Sequence, residues 1–208
     1  MIINRINKLK KTFNELEIDG YVIPKNDEFF SEYSKVNKLK IISNFSGSAG
    51  FAVILKKKNY LFVDGRYTIQ AHKESGKYFN IVKYEKIINC NLFQDLTLGI
   101  NPKYFTSDQI KKFFNKNKTK LIVSNLIENI FKNQSYKQKP FYSLNKSVVG
   151  ESHTSKIKKI SDWLKKKKSN YLFVSAPENV AWLLNIRGHD NPNSPIPNCH
   201  LIIQKNKK

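Results

Sequence analysis

Two short apolar runs constrain this chain most: Phe51–Leu55 (FAVIL) and Tyr60–Val63 (YLFV), separated only by Lys56–Asn59. Both have the length of strands, and the short polar gap between them suits a hairpin-like pair. The remaining elements take their places around that pair. Ile6, Leu9, Phe13 and Leu16 recur at helical spacing over residues 4–17, and Asp19-Gly20 ends that helix. Tyr21-Val22-Ile23, stopped by Pro24, reads as a buried strand. Residues 25–40 are polar and suit a loop with a short helix around Glu28–Tyr33. After the pair come a helix over Tyr67–Lys73 and a strand over Phe79–Lys83. Leu98–Ile100 reads as a strand, Ser107 as the N-cap of a helix carrying Ile110, Phe113 and Phe114, and Leu121–Val123 as a further strand. Helices alternating with strands predict an α/β layer architecture.

Periodicity lapses after about residue 133, where Gln, Lys, Ser and Pro140 accumulate. The reading is a first domain over 1–135, a linker over 136–153, and a second alternation over 154–208. In that second part Thr154–Lys168 is amphipathic, with Ile157, Ile160, Trp163 and Leu164 on one face. Tyr171–Val174 is a strand, and Ser175-Ala176-Pro177-Glu178 is a helix start, with a cap followed by Pro and an acid in the first turn. That helix extends to about Asn185, Trp182-Leu183-Leu184 supply core packing, and His200–Ile203 is one more strand. A helix-strand-helix-strand unit of this size is half a domain, so the second domain is expected to be incomplete.

Bulk properties narrow the class. The hydrophobic fraction of 40% and aromatic fraction of 12% are enough for a packed core. There is no apolar run of about 18 residues for a membrane span, and the basic N-terminus lacks the apolar centre of a secretory signal. Cys90 and Cys199 fit no Cys-x-x-Cys spacing, which favours a reducing cytoplasm. The net charge of +21 suggests nucleic acid at first. However, the Lys residues are spread from end to end, and the accompanying wealth of Asn, Ile, Phe and Tyr matches a bias towards A/T-rich codons. Solvated, composition-driven Lys is therefore favoured over a nucleic-acid surface.

The candidate sites reduce quickly. His72, His153, His189 and His200 make no i, i+4 pair, and no acid cluster is placed for a metal pair. Gly47-Ser48-Ala49-Gly50 precedes a strand and lacks phosphate-loop spacing, while Ser46 and Ser48 have no nucleophile elbow or nearby base. Arginine is more informative. Of 37 Lys and Arg residues only Arg5, Arg66 and Arg187 are Arg. Arg66 in Asp64-Gly65-Arg66-Tyr67 and Arg187 in Asn185-Ile186-Arg187-Gly188-His189-Asp190 both adjoin Gly with an acid close by. A planar guanidinium fork offers bidentate geometry that Lys cannot supply. An internal Arg–carboxylate pair pinning a loop is favoured for both.

These blocks also carry a resemblance. Phe45-Ser46-Gly47-Ser48-Ala49-Gly50, Asp64-Gly65-Arg66-Tyr67 and Gln70-Ala71 resemble the first domain of Xaa-Pro aminopeptidases (aminopeptidase P) of the creatinase/prolidase type. Glu178 to Gly188, including Trp182 and Arg187, followed by Asp190 and Asn193-Ser194-Pro195, resembles the start of that family's second domain. Phe51, where a small or Thr-like residue is usual, and His189, where Ser is common, depart from the pattern.

The resemblance implies a creatinase N-terminal-like α/β domain, a mixed β-sheet with helices on both faces, followed by the first half of a second related domain. It implies a cytoplasmic, homodimeric metallopeptidase that removes the residue before proline from short Xaa-Pro peptides. The two manganese or similar divalent ions belong to a pita-bread domain that this chain lacks. The expectation is thus a non-catalytic, cleft-covering and dimerising portion with no catalytic or metal-binding residue of its own. Arg66 is the candidate substrate contact. Gly47, Ser48, Gly50, Asp64, Gly65, Tyr67, Trp182, Arg187, Gly188 and Asp190 are the structural signature. A stand-alone binding module of the same fold is the alternative, and a basic nucleic-acid-binding protein a more remote one.

Overall fold

The fold is described from a computed structural model, for residues 1–31, 36–88, 91–131 and 139–206. The chain forms two compact units, Met1–Gln134 and Ser135–Lys208. In unit 1, β1 (Gly20–Pro24), β2 (Gly50–Leu55), β3 (Asn59–Val63), β4 (Asn80–Lys83), β5 (Thr97–Ile100) and β6 (Lys118–Leu121) form one six-stranded sheet in the order β4-β3-β2-β1-β5-β6. The sheet is mixed. β2 runs antiparallel to β1 and β3, while β3–β4, β1–β5 and β5–β6 are parallel. The hairpin forms as its apolar runs require, with Phe51 opposite Phe62 and Val53 opposite Tyr60.

Strand alternation sorts the core onto two faces. Ile23, Ile54, Leu61 and Val63 face α1 (Ile2–Lys10), α2 (Lys38–Ser43), α3 (Thr68–Ser75) and α5 (Leu126–Phe131), through Ile6, Leu9, Leu39, Ile42, Ala71 and Ile127. Val22, Phe51, Val53, Phe62, Leu98 and Ile100 face Ile87, Phe93 and α4 (Ser107–Phe114), whose Phe114 is buried. Helices therefore cover both faces of the sheet.

Several expectations shift. The first helix stops at Lys10. Thr12 Oγ1 donates to Leu9 O, and Thr12 and Phe13 donate their N–H groups three residues back, tightening the chain into turns that still bury Phe13. Glu28–Ser31 forms no helix, and Tyr33 lies outside the described residues. Instead α2 forms at Lys38–Ser43, with Asn37 Oδ1 accepting from Lys40 N. The cap of α4 is Thr106 rather than Ser107, in a reciprocal capping box with Gln109. β6 occupies Lys118–Leu121 rather than Leu121–Val123, because an edge strand has no need of a continuous apolar run.

Unit 2 contains α6 (His153–Lys166), β8 (Tyr171–Val174), α7 (Pro177–Leu184) and β10 (Leu201–Gln204), plus β7 (Tyr142–Ser143) paired with β9 (Ile186–Arg187). β7 lies in the segment expected to be linker, where residues 145–148 also make a capped turn. Leu164, Leu183 and Ile203 form the buried core, with Ile157, Ile160, Leu172, Val174 and Leu201 packed around it. Two of the expected core positions are exposed instead, Trp163 at 47% and Trp182 at 60%. The α7 cap position is Ala176, which makes no side-chain cap bond, so Pro177 at the first turn carries the start signal. The order helix, strand, helix, antiparallel strand is common to α1-β1-α2-β2 and α6-β8-α7-β10.

Candidate functional site

In unit 1 the Phe45–Gly50 loop and the Asp64–Tyr67 turn meet above α3. The Phe45 ring is fully buried and folds over Gly47, where an added Cβ would lie 2.3 Å from Phe45 Cζ. At Gly50 a Cβ would sit 2.5 Å from Phe62 O, so the strand entry needs a bare backbone. Ser48 Oγ and Tyr67 OH are hydrogen-bonded at 2.9 Å, and Tyr67 meets the Phe45 ring edge-on at 5.9 Å between centroids. Gly65 has open space around it, so no steric demand accounts for that member of the signature.

Asp64 caps its turn by accepting from Arg66 N at 2.9 Å, and its carboxylate also takes the Arg66 guanidinium through Nε at 2.9 Å and Nη2 at 3.4 Å. These bonds hold the Asp64 carboxyl below its ordinary value. The Arg66 side chain is 74% exposed while making that pair, and its guanidinium lies 5.6 Å from the Tyr67 ring centre. The fork geometry is thus used internally, on a solvent-facing turn.

The hub of the cluster is a residue that the sequence reading passed over, Glu74. Its carboxylate accepts from Ser46 N and Ser46 Oγ, both at 2.7 Å, and from Gln70 Nε2 at 3.1 Å. Burial alone would raise this carboxyl, but the hydrogen bonds from Ser46 and Gln70 outweigh it and leave the group lowered. The available signal was Gln70 and Glu74 one helical turn apart on α3, next to a Ser-rich loop.

In unit 2 the signature is also a pinning device. Arg187 Nη1 donates to Ile186 O at 2.8 Å and Ala181 O at 3.3 Å, so it serves backbone carbonyls at the end of α7. At Gly188 an added Cβ would stand 2.7 Å from Pro197 Cα, and its N–H donates to Pro195 O at 3.0 Å. Asp190 Oδ2 accepts from Asn198 N at 3.0 Å. Together these hold the 188–198 loop. A groove of about 700 Å³ beside it is walled by Phe141, Val180, Leu184 and Pro197, with Asp190 and Cys199 among its polar groups. Burial, and then Asp190, push the Cys199 thiol up. Exposed Trp182 carries on its ring the ammonium of buried Lys156, 4.0 Å from the centroid. That ammonium donates to Trp182 O at 2.6 Å and to Asn185 Oδ1 at 2.7 Å. No sequence signal marked Lys156, because a Lys in an amphipathic helix ordinarily reads as solvated.

The creatinase/prolidase N-terminal domain profile matches residues 5–130, and a second profile of the same description matches residues 132–208. The chain belongs to the creatinase/prolidase N-terminal domain family. A probable Xaa-Pro aminopeptidase P of Coprinopsis cinerea is 30% identical over 212 residues, covering 94% of this chain and 34% of that protein. Xaa-Pro aminopeptidase 1 of Dictyostelium discoideum is 27% identical over 231 residues, covering 99% and 37%. This creatinase/prolidase-type chain therefore spans about a third of the length of its curated relatives. The same fold occurs in the solved X-prolyl aminopeptidase of Caenorhabditis elegans, described as a cytosolic enzyme with a di-nuclear active site. There the TM-score is 0.87 at 24% identity, over 99% of this chain and 38% of that one.

The divalent ions implied by the resemblance find no donor set here: among the described residues no three His, Cys, Asp or Glu side chains group to hold a metal. Among the same residues no helix is long and apolar enough to cross a membrane.

Proposed function

We propose that this chain serves as the non-catalytic N-terminal portion of a cytoplasmic, metal-dependent Xaa-Pro aminopeptidase. It covers the cleft and contributes to dimerisation, while peptide-bond hydrolysis is carried out by polypeptide outside these residues. The observation that carries the reading is similarity to Xaa-Pro aminopeptidases along 94–99% of this chain and only 34–37% of theirs. The metal ions would be manganese or a similar divalent cation, and the substrates short peptides with proline second. In this reading the Asp64–Arg66 turn faces the cleft, and Arg66 contacts substrate from its exposed position while Asp64 presets its fork.

A hybrid tests this, with these 208 residues replacing the matching third of the Coprinopsis relative. The reading expects manganese-dependent release of the first residue from an Xaa-Pro peptide. A folded hybrid without activity counts against it. Arg66→Lys in the active hybrid should lower kcat/KM about 10-fold or more, the loss of one charge-assisted contact. An unchanged kcat/KM leaves Arg66 with its internal pair alone.

A further inference from the structure

The β8–β10 sheet is open in a way that the unit 1 sheet is not. In unit 1, β1 pairs antiparallel with β2 and has a second neighbour, β5, on its other edge. The corresponding β8 pairs with β10 and, among the described residues, with nothing else. Its sequence, Tyr171-Leu172-Phe173-Val174, is wholly apolar. Even the inward-facing Leu172 and Val174 are only half-buried, and Tyr171, Phe173 and the facing Ile202 are exposed. A two-stranded sheet is marginal by itself, and an open apolar edge is a template for strand addition.

The ladder shows which groups face outward. Lys205 N–H donates to Asn170 O at 2.9 Å, and register places Ile203 opposite Leu172 and Leu201 opposite Val174. By the alternation of an antiparallel ladder, the N–H and C=O groups of Tyr171 and Phe173 point away from β10.

We propose that this edge is occupied by β8 of a second copy of the chain, antiparallel across a twofold axis, with Tyr171 opposite the partner's Phe173. Charge selects this occupant and this direction. A chain of net charge +21 repels its own copy except where the contact is uncharged, and Ser169–Pro177 carries no charged residue. Lys165–Lys168 lies just before β8. Parallel pairing would set these lysines side by side at about 5 Å. The antiparallel register separates Lys168 from the partner's Lys168 by eight positions, about 27 Å and well beyond a Debye length of about 8 Å. The outer edge of β10 is less suited, since Lys205 follows it directly and guards it. The pairing makes a four-stranded sheet with an aromatic ladder of Tyr171 and Phe173 from both copies, and satisfies all the outward groups of those residues. The proposal stands apart from the peptidase reading and needs only this chain.

The test is sedimentation equilibrium of the 208-residue protein over a hundredfold concentration range, with amide exchange at both ends. A concentration-dependent dimer is expected, in which the Tyr171 and Phe173 amides exchange at least about 10-fold more slowly than in the monomer. Phe173→Pro removes one outward N–H and leaves the β10 ladder bonds intact, so it should weaken the dimer by about 10-fold or more. Tyr171→Lys, placing cations opposite the partner's Phe173 and beside its β8, should do the same. Unchanged tryptophan-fluorescence unfolding certifies that each variant's unit 2 is folded. A monomer at every concentration, or a dimer that persists in both variants, overturns the proposal. So does a monomer whose β8 edge is protected only when a different polypeptide is added.

Discussion

Gly47 and Gly65 belong to the same sequence signature, yet the structure assigns them opposite sensitivities. Replacing Gly47 by Ala puts a methyl group 2.3 Å from Phe45 Cζ and 2.9 Å from both Cε atoms. The ring has nowhere to go, since Phe45 is fully buried against the core that Leu39, Ile42 and Ala71 line. Either the loop backbone moves or the ring leaves its rotamer, an overpacking cost of about 1–3 kcal/mol. If the Phe45–Tyr67 edge contact opens as well, about 0.5–1.5 kcal/mol more is lost. For a unit of this size that is a fall in Tm of about 4–12 °C. Gly65→Ala meets nothing within 4 Å, at an ordinary backbone angle, and should stay within about 0.5 kcal/mol of the parent. Far-UV circular dichroism melting of both variants checks this. Trp163 and Trp182, the two tryptophans of the chain, both lie in unit 2, so their fluorescence separates its transition from that of unit 1. If Gly65→Ala costs as much as Gly47→Ala, or Gly47→Ala melts like the parent, the steric argument fails.

Two further predictions concern the pinning groups. The Glu74 carboxyl is lowered in the folded chain, so its contribution is complete above the ordinary value of 4.5 and is lost as pH falls below it through the folded value. Urea midpoints of Glu74→Gln and the parent should therefore converge towards pH 3, and a gap that persists undiminished there would contradict the assignment. Lys156→Met leaves the Trp182 carbonyl and Asn185 Oδ1 without their buried donor, costing about 1–3 kcal/mol, and removes the cation from the Trp182 ring. The urea midpoint followed by tryptophan fluorescence should fall accordingly, and an unmoved midpoint would show that solvent replaces the ammonium freely.

What could be read from residues alone tracks burial. The β2–β3 hairpin and β1 were legible because both their faces are buried and the runs are continuously apolar. α2 was not, since Lys38 and Lys40 make its first turn look solvated. In fact Lys38 is only 3% exposed and its ammonium lies 4.3 Å from the centre of the Tyr104 ring. Such a burial is set by tertiary contacts between residues far apart in sequence. Trp163 and Trp182 were misplaced for the complementary reason: helical spacing names a face but not how far the covering elements extend over it. β7 pairs two residues with Ile186-Arg187 across more than forty positions, a contact no local pattern encodes. At the candidate site, the pairing of Arg66 with a nearby acid followed from residue type and spacing, whereas Glu74 as the shared acceptor required the loop to fold back onto α3.

The central claim is that these 208 residues belong to an Xaa-Pro aminopeptidase without performing its chemistry. The most direct measurement is release of the first residue from an Xaa-Pro peptide by the purified chain in excess manganese, beside the same chain installed in the hybrid. The account predicts release by the hybrid and none above buffer by the chain alone. Manganese-dependent turnover by the isolated chain would contradict it.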